Sequence, residues 1–263
     1  MIESRITFCL TEDGVPTWKL NELNGLLRLF RSVVIWFNLT KSAKVNADKT
    51  LSVLSLNNRK GDLCQLAIEG LDAELACMVL SEYVRRAFVL VATTHNQRQL
   101  SDFQLSQLPT MQSPLPLDWH YTPLSKQQST SKHAVLDNLS QVINSQQSEQ
   151  VFNKLAAREA ISSTLIGSQF ALPHIICDNV STATFVFAPL MSSVQWNPQK
   201  ADSDVDWVFA IILPSDIKRE DFVYFARLTR WLLNSDNRHI IKSGNSLYYF
   251  KVIISHIMAC YIP

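Results

Sequence analysis

Of the six histidines in the chain, His174 has the most defined setting. It follows Pro173, which fixes its own φ and pushes Leu172 towards extended geometry, so the sequence predicts an imidazole at a strand end on an ordered backbone. An imidazole held there can act as a nucleophile. It closes the stretch Leu155 to His174, LAAREAISSTLIGSQFALPH, in which an Arg158-Glu159 pair near a helix end is followed by a Ser162-Ser163-Thr164 turn, Gly167 and a short apolar run. Taken singly these residues have plainer readings. A lone Pro-His is more often a hydrogen-bonded strand-end pair, Arg158 pairs readily with Glu159 or solvent, and Thr164 can cap or turn the chain. His95, His120, His133, His239 and His256 have no comparable setting, and structural roles or none are expected of them.

Two predicted helices lead into this stretch. His133 to Ile143 places Val135, Leu136, Leu139 and Val142 on one side, and Ser148 to Ile161 buries Val151, Phe152, Leu155 and Ala156 while carrying Arg158 near its end. Beyond His174, Thr182 to Pro189 and Val205 to Pro214 are β-rich, and the second is so continuously apolar that it suits a strand buried on both faces. Lys218-Arg219-Glu220 opens a helix with Phe222, Phe225, Leu228, Trp231 and Leu232 inward, and Ser243 to Ile257 supplies a last helix. Leu115 to Leu124 reads as an edge strand. Together these predict an α/β layered domain with a mixed sheet over 115–263.

The N-terminal part reads differently. A strand at Ser4 to Leu10 ends at Glu12-Asp13-Gly14; a helix over Thr17 to Phe30, a strand at Val33 to Leu39, a short leucine-rich segment at Thr50 to Leu56, a strand at Leu63 to Ile68 and a helix from Asp72 to Phe88 follow. That order predicts a small α+β sandwich over 1–91. From Ala92 the texture turns to glutamine, serine and proline, which marks 92–114 as a connection.

Composition bounds the partners. The chain has 263 residues, 47% of them hydrophobic and 18% charged, and a formal charge of +1, so no basic field for nucleic acid and no polybasic membrane patch are present. Five cysteines without a CxxC pair suit buried free thiols in a reducing compartment better than disulfides or zinc. No apolar run reaches the roughly 18 residues of a membrane span, and the first residues lack a signal-peptide pattern. A cytoplasmic protein without direct membrane insertion is expected.

The active stretch resembles that of the fructose/mannitol-type IIA proteins of the bacterial phosphoenolpyruvate:sugar phosphotransferase system (PTS), whose pattern is roughly R-E, T-x-[IL]-G and A-[IV]-P-H. Val186 to Trp196 and Asp206 to Pro214 are similar to the two core strands and the V-x-W/F segment of the same family, and the likeness runs from about Leu115 to His256. It implies a three-layer α/β/α EIIA domain in which His174 carries a phosphoryl group, Arg158 holds phosphoryl oxygens, and Thr164 and the amides of Thr164 to Gly167 are further donors. No metal or cofactor is implied. Two departures stand out: Ile175 replaces the usual Gly after the active His and is expected to crowd the phosphoryl approach, and Asp221 occupies the place of a second His.

The first module resembles HPr, the phosphocarrier of the same system, an open-faced β-sandwich. VNADKTLSVLSL at Val45 to Leu56, the Lys60-Gly61-Asp62 turn and LAIEGLD at Leu66 to Asp72 carry the likeness. HPr's G-[LI]-H-[AT]-R-P is here Gly14-Val15-Pro16-Thr17-Trp18-Lys19, so the phosphorylatable His is Pro16 and the phosphate-balancing Arg is Trp18. The place of HPr's regulatory Ser falls near Lys49 or Thr50. The resemblance therefore implies a phosphotransferase that takes a phosphoryl group on His174 from HPr or an HPr-like donor and hands it to the IIB domain of a sugar permease. The alternative is a regulatory or docking member whose phosphorylation is a signal or does not occur.

Overall fold

The computed structural model describes residues 2–94, 108 and 112–260, which group into two compact units. Most of the expected 92–114 connection, and His95 with it, lies outside the described residues.

The first unit is built on a five-stranded antiparallel sheet, in the order β3 (Ala43–Asn46), β2 (Val33–Asn38), β4 (Leu63–Gly70), β1 (Ile2–Cys9), β5 (Val89–Thr93). Helices α1 (Thr17–Leu27), α2 (Thr50–Ser55) and α3 (Ala73–Ala87) accompany it. Side chains alternate across a strand, so Ile6 and Phe8 of β1, Trp36 of β2, and Leu66 and Ile68 of β4 share the helix-side face, where they pack with Leu20, Leu23, Leu80 and Val84. Phe8, Trp36 and Phe88 meet there at ring centroid distances of 5.0 to 6.0 Å. β3 and β5 are additions to the sequence reading; each is short, and β5 falls where the chain had been read as leaving the module.

The other face of this sheet carries Arg5, Thr7 and Gln65, all buried, among Ile35, Phe37, Leu63 and Ala67. Gln65 Nε2 donates to Thr7 Oγ1 (2.9 Å) and Tyr249 Oη (3.1 Å), and its Oε1 accepts from Arg5 Nη1 (2.6 Å). Thr40 Oγ1 lies 2.8 Å from His256 Nε2, and Trp231 Nε1 donates to Leu39 O at 3.0 Å. The covering residues come from the far end of the sequence: Arg227–Asn237 and Gly244–Pro263 group with this unit. Helical segments from the far end of the sequence thus accompany the HPr-like sheet, and Leu115–Ala226 groups with Arg238–Ser243. The last helix, Leu247–Cys260, is buried at every residue from Val252 to Met258, and so rich an apolar content requires cover on more than one side.

The second unit, Leu115–Ala226 with Arg238–Ser243, has a mixed sheet. β6 (Leu117–Tyr121) runs parallel to β9 (Ala183–Gln195), β9 antiparallel to β10 (Asp204–Pro214), and β10 parallel to both β7 (Gln169–Ala171) and β8 (His174–Cys177). β10 is central and buried along nearly its whole length, as its unbroken apolar run requires. Helices α4 (Lys132–Ile143) and α5 (Ser148–Ile161) cover one face through Val135, Leu136, Leu139, Val151 and Leu155. Ser131 caps α4 by accepting from the Ala134 amide at 3.1 Å. The opposite face is aromatic, with Phe185, Phe187 and Phe209 in mutual contact and Phe225 6.0 Å from Phe185. Phe225 lies on α6 (Phe222–Leu232), and α7 (Ser235–Lys242) and α8 (Leu247–Cys260) complete the helices named here.

The four cysteines Cys9, Cys64, Cys77 and Cys177 are buried and unpaired, Cys260 is partly exposed, and burial pushes the Cys9 thiol up to about 12. No helix among the described residues is long and apolar enough to cross a membrane.

Burial holds the His256 imidazole at about 4, below its ordinary 6.5. The unfolded chain then binds a proton that the folded chain refuses, so stability falls as pH drops from 6.5 towards 4, by up to about 3 kcal/mol. Denaturant titrations at pH 7 and pH 4.5 should show this loss, and His256→Gln should shrink it.

Candidate active site

His174 opens β8, paired with Ile211 of β10, and the Ile211 amide donates to Pro173 O at 2.9 Å. The imidazole is exposed, while Leu172, Pro173 and Ile175 around it are buried. Its Nδ1 lies 2.9 Å from Leu172 O and its Nε2 3.0 Å from Arg158 Nη2. A carbonyl only accepts and a guanidinium only donates, so Nδ1 carries the ring proton and Nε2 presents a bare lone pair towards Arg158. Arg158 reaches this position from the last turn of α5, where Nη1 donates to Ser162 O at 3.0 Å, the carbonyl just past the helix end. One guanidinium thus closes a helix terminus with one nitrogen and faces the imidazole with another.

Glu159, the next residue, turns inward and is buried. Its carboxylate accepts from the Thr164 amide at 3.2 and 3.1 Å and from Thr164 Oγ1 at 2.6 Å, and Lys132 Nζ lies 3.6 Å away. Thr164 Oγ1 also accepts from Trp196 Nε1 at 3.4 Å, and Thr164 O accepts from the Leu172 amide at 2.9 Å. Thr164 is itself buried. The segment 164–172 is closed by the Ile166 amide on Phe170 O (2.8 Å) and a bridge between Leu165 and Ala171. Gly167 turns it with φ +63°, a conformation that favours glycine, and a Cβ there would also displace the tip of the Arg238 side chain.

Of the three residues singled out in the sequence, the structure brings His174 and Arg158 together. Thr164 is different: its amide and hydroxyl protons are both committed to Glu159, so it braces the turn instead of offering a donor to solvent. The Leu165 amide is 3.4 Å from Ser163 Oγ and the Ile166 amide is on Phe170 O, which leaves few of the expected Thr164 to Gly167 amides to an incoming oxyanion. Ile175 does not crowd the imidazole either. Successive strand side chains alternate, so Ile175 packs in the core with Cys177 while His174 and Ile176 face out. The two hydrogen-bond partners of His174 do not include Asp221, which sits in a short 3-10 turn, Arg219–Asp221. Sequence reasoning missed Glu159 and the Leu172 carbonyl; the signal for the first was an acid next to Arg158 on a helix otherwise amphipathic.

In the first unit the start of α1 holds no imidazole. Pro16 precedes the helix, Trp18 is 63% exposed, and the Lys19 ammonium is buried against Ala87 O (2.8 Å) and Glu12 Oε1 (2.5 Å), 4.9 Å from the Phe88 ring centre.

Residues 120–256, more than half of the chain, match the family model "Phosphoenolpyruvate-dependent sugar phosphotransferase system, EIIA 2". The chain belongs to this family. It is similar to multiphosphoryl transfer protein 2 of Escherichia coli K12, 32% identical over 80 residues; the match takes in 30% of this chain and spans about 10% of that relative's length. Among solved structures it aligns with the nitrogen regulatory protein IIA-Ntr of Neisseria meningitidis at 20% identity and a TM-score of 0.42, covering 52% of this chain and 92% of that one. It also aligns with a Mycoplasma histidine-containing phosphocarrier protein at 15% identity and a TM-score of 0.30, covering 32% and 97%.

Thr164→Val should cost about 1 to 3 kcal/mol, because it leaves the buried Glu159 carboxylate short of a donor. Urea denaturation measures the cost. Nitrogen-15 spectra of the same variant should keep the proton of His174 on Nδ1.

Proposed function

We propose that the second unit is a phosphohistidine relay of the PTS: Nε2 of His174 accepts a phosphoryl group from HPr or an HPr-like donor and passes it to the IIB domain of a sugar permease. The observation that carries this reading is the exposed His174 ring with its proton fixed on Nδ1 and its Nε2 lone pair facing a guanidinium. In-line transfer to a neutral imidazole needs a positioned lone pair and a cation for the equatorial oxygens. The Nε2 lone pair attacks phosphorus as the donor's P–N bond breaks, and the Arg158 N–H that met the ring nitrogen turns to a phosphoryl oxygen. Leu172 O keeps the ring from turning and stabilises the Nδ1–H as positive charge develops on the phosphorylated ring. The reverse step releases the group to the next nucleophile.

The first unit takes no phosphoryl group in this reading. A Pro at residue 16 offers no nucleophile, and the Lys19 ammonium is engaged internally, so the module serves as a docking element beside the relay. A purely regulatory protein is the second reading, favoured by that same missing nucleophile.

Incubation with radiolabelled phosphoenolpyruvate, Enzyme I and HPr should label the protein at Nε2 of His174, and the label should be lost in His174→Ala and pass to a IIB protein. Arg158→Gln should slow labelling by about 10- to 1000-fold. Label that forms but never transfers supports regulation, and absence of label from the intact protein defeats the relay. Pro16→His should gain no label of its own, since Trp18 supplies no guanidinium.

A further inference from the structure

A cation-rich cavity lies in the first unit, lined by residues that take no part in the proposed relay. The loop after β2 (Thr40, Lys41), the turn between α2 and β4 (Leu56 to Asp62) and two residues of α8 (His256, Cys260) enclose a cavity of about 450 Å³. That volume is within the usual range for a small-molecule site. Three cationic side chains line it, Lys41, Arg59 and Lys60, against the single carboxylate of Asp62.

The charges are not mutually spent. Asp62 is buried and its Oδ2 is already surrounded by donors: Asn38 Nδ2 at 2.7 Å, the Arg59 amide at 2.9 Å and Lys41 Nζ at 3.3 Å. Lys41 Nζ also donates to Asn57 O, so it is held at the cavity with a defined direction. The Arg59 and Lys60 side chains are exposed and, among the described residues, make no hydrogen bond or ion pair; only their backbone amides are engaged, with Asp62 and with Asp13 Oδ1 at 3.0 Å. His256 forms part of the wall as a buried ring whose Nε2 lies 2.8 Å from Thr40 Oγ1, and Thr40 Oγ1 accepts from the Leu63 amide at 2.9 Å. The cavity therefore has a fixed, hydrogen-bonded floor, one oriented ammonium and two unengaged cations at its rim. Such an arrangement repels cations and offers neutral sugars hydrogen bonds without Coulombic gain; a compact group of charge −2 or more gains most, with the Arg59 fork matching paired oxygens.

We propose that this cavity binds a small phosphoryl-bearing metabolite through Arg59, Lys60 and Lys41, as a site separate from His174. Because His256 and Cys260 belong to α8, an occupant also ties the last helix to the α2–β4 turn, so ligand occupancy and retention of that helix are linked.

Calorimetric titration of the full chain with inorganic pyrophosphate at low ionic strength tests this. One saturable site is expected, with affinity falling as salt is raised. The double variant Arg59→Gln, Lys60→Gln changes only exposed side chains, should melt like the parent without ligand, and should bind about tenfold or more weakly. Arg158→Gln should bind like the parent. No saturable binding, undiminished binding in the double variant, or loss of binding in Arg158→Gln each overturns the proposal. Citrate binding as tightly as pyrophosphate overturns the phosphoryl assignment.

Discussion

The second unit depends on a division of labour at one ring. A carbonyl takes the proton on Nδ1 of His174 and a guanidinium meets the lone pair on Nε2, so the imidazole has one tautomer and one outward-facing nitrogen. Both partners are backbone-determined. Leu172 O is fixed because the Leu172 amide is bonded to Thr164 O and the following Pro173 packs in the interior, and Arg158 is fixed because its other nitrogen closes α5. Everything upstream of His174 in the motif can be understood as serving these two placements. Glu159 pins the turn at Thr164, Trp196 supports the same hydroxyl, and Gly167 lets the chain double back so that Leu172 arrives in register.

This explains why adjacent residues of opposite charge, Arg158 and Glu159, are not a pair. Neighbours on a helix diverge by about 100°, so one faces the surface and the other the interior. A carboxylate buried with two protons from one threonine and an ammonium 3.6 Å away is tolerable because its donors are local and pre-aligned. The exposed partner faces the His174 ring instead.

Much of this was legible in the residues themselves. Helical periodicity located α4 and α5, the apolar run gave β10 its central position, and Pro173 announced an ordered backbone at His174. What was not legible had a common cause: a one-dimensional pattern does not say which way a donor points. Thr164 reads equally well as a phosphate donor or as a brace, and only the inward turn of Glu159 decides between them. Ile175 reads as an obstruction only until the strand's alternation is anchored by its pairing with β10. The cover on the first sheet was hidden for a different reason. Arg5, Thr7 and Gln65 are polar residues on one sheet face, and nothing local reveals that Tyr249, some 180 positions after Gln65, will meet the Gln65 amide.

That long return has a consequence for how the protein is made. Ribosomes deliver the first sheet well before Gly244–Cys260 exist, and N-terminal regions fold first. During the interval Arg5, Thr7 and Gln65 can be hydrated, so the polar middle of this face keeps its water while Ile35, Phe37 and Leu63 around it wait for cover. A row of leucines there would pack against α8 more tightly at the end, yet it would leave the nascent chain sticky for most of its synthesis.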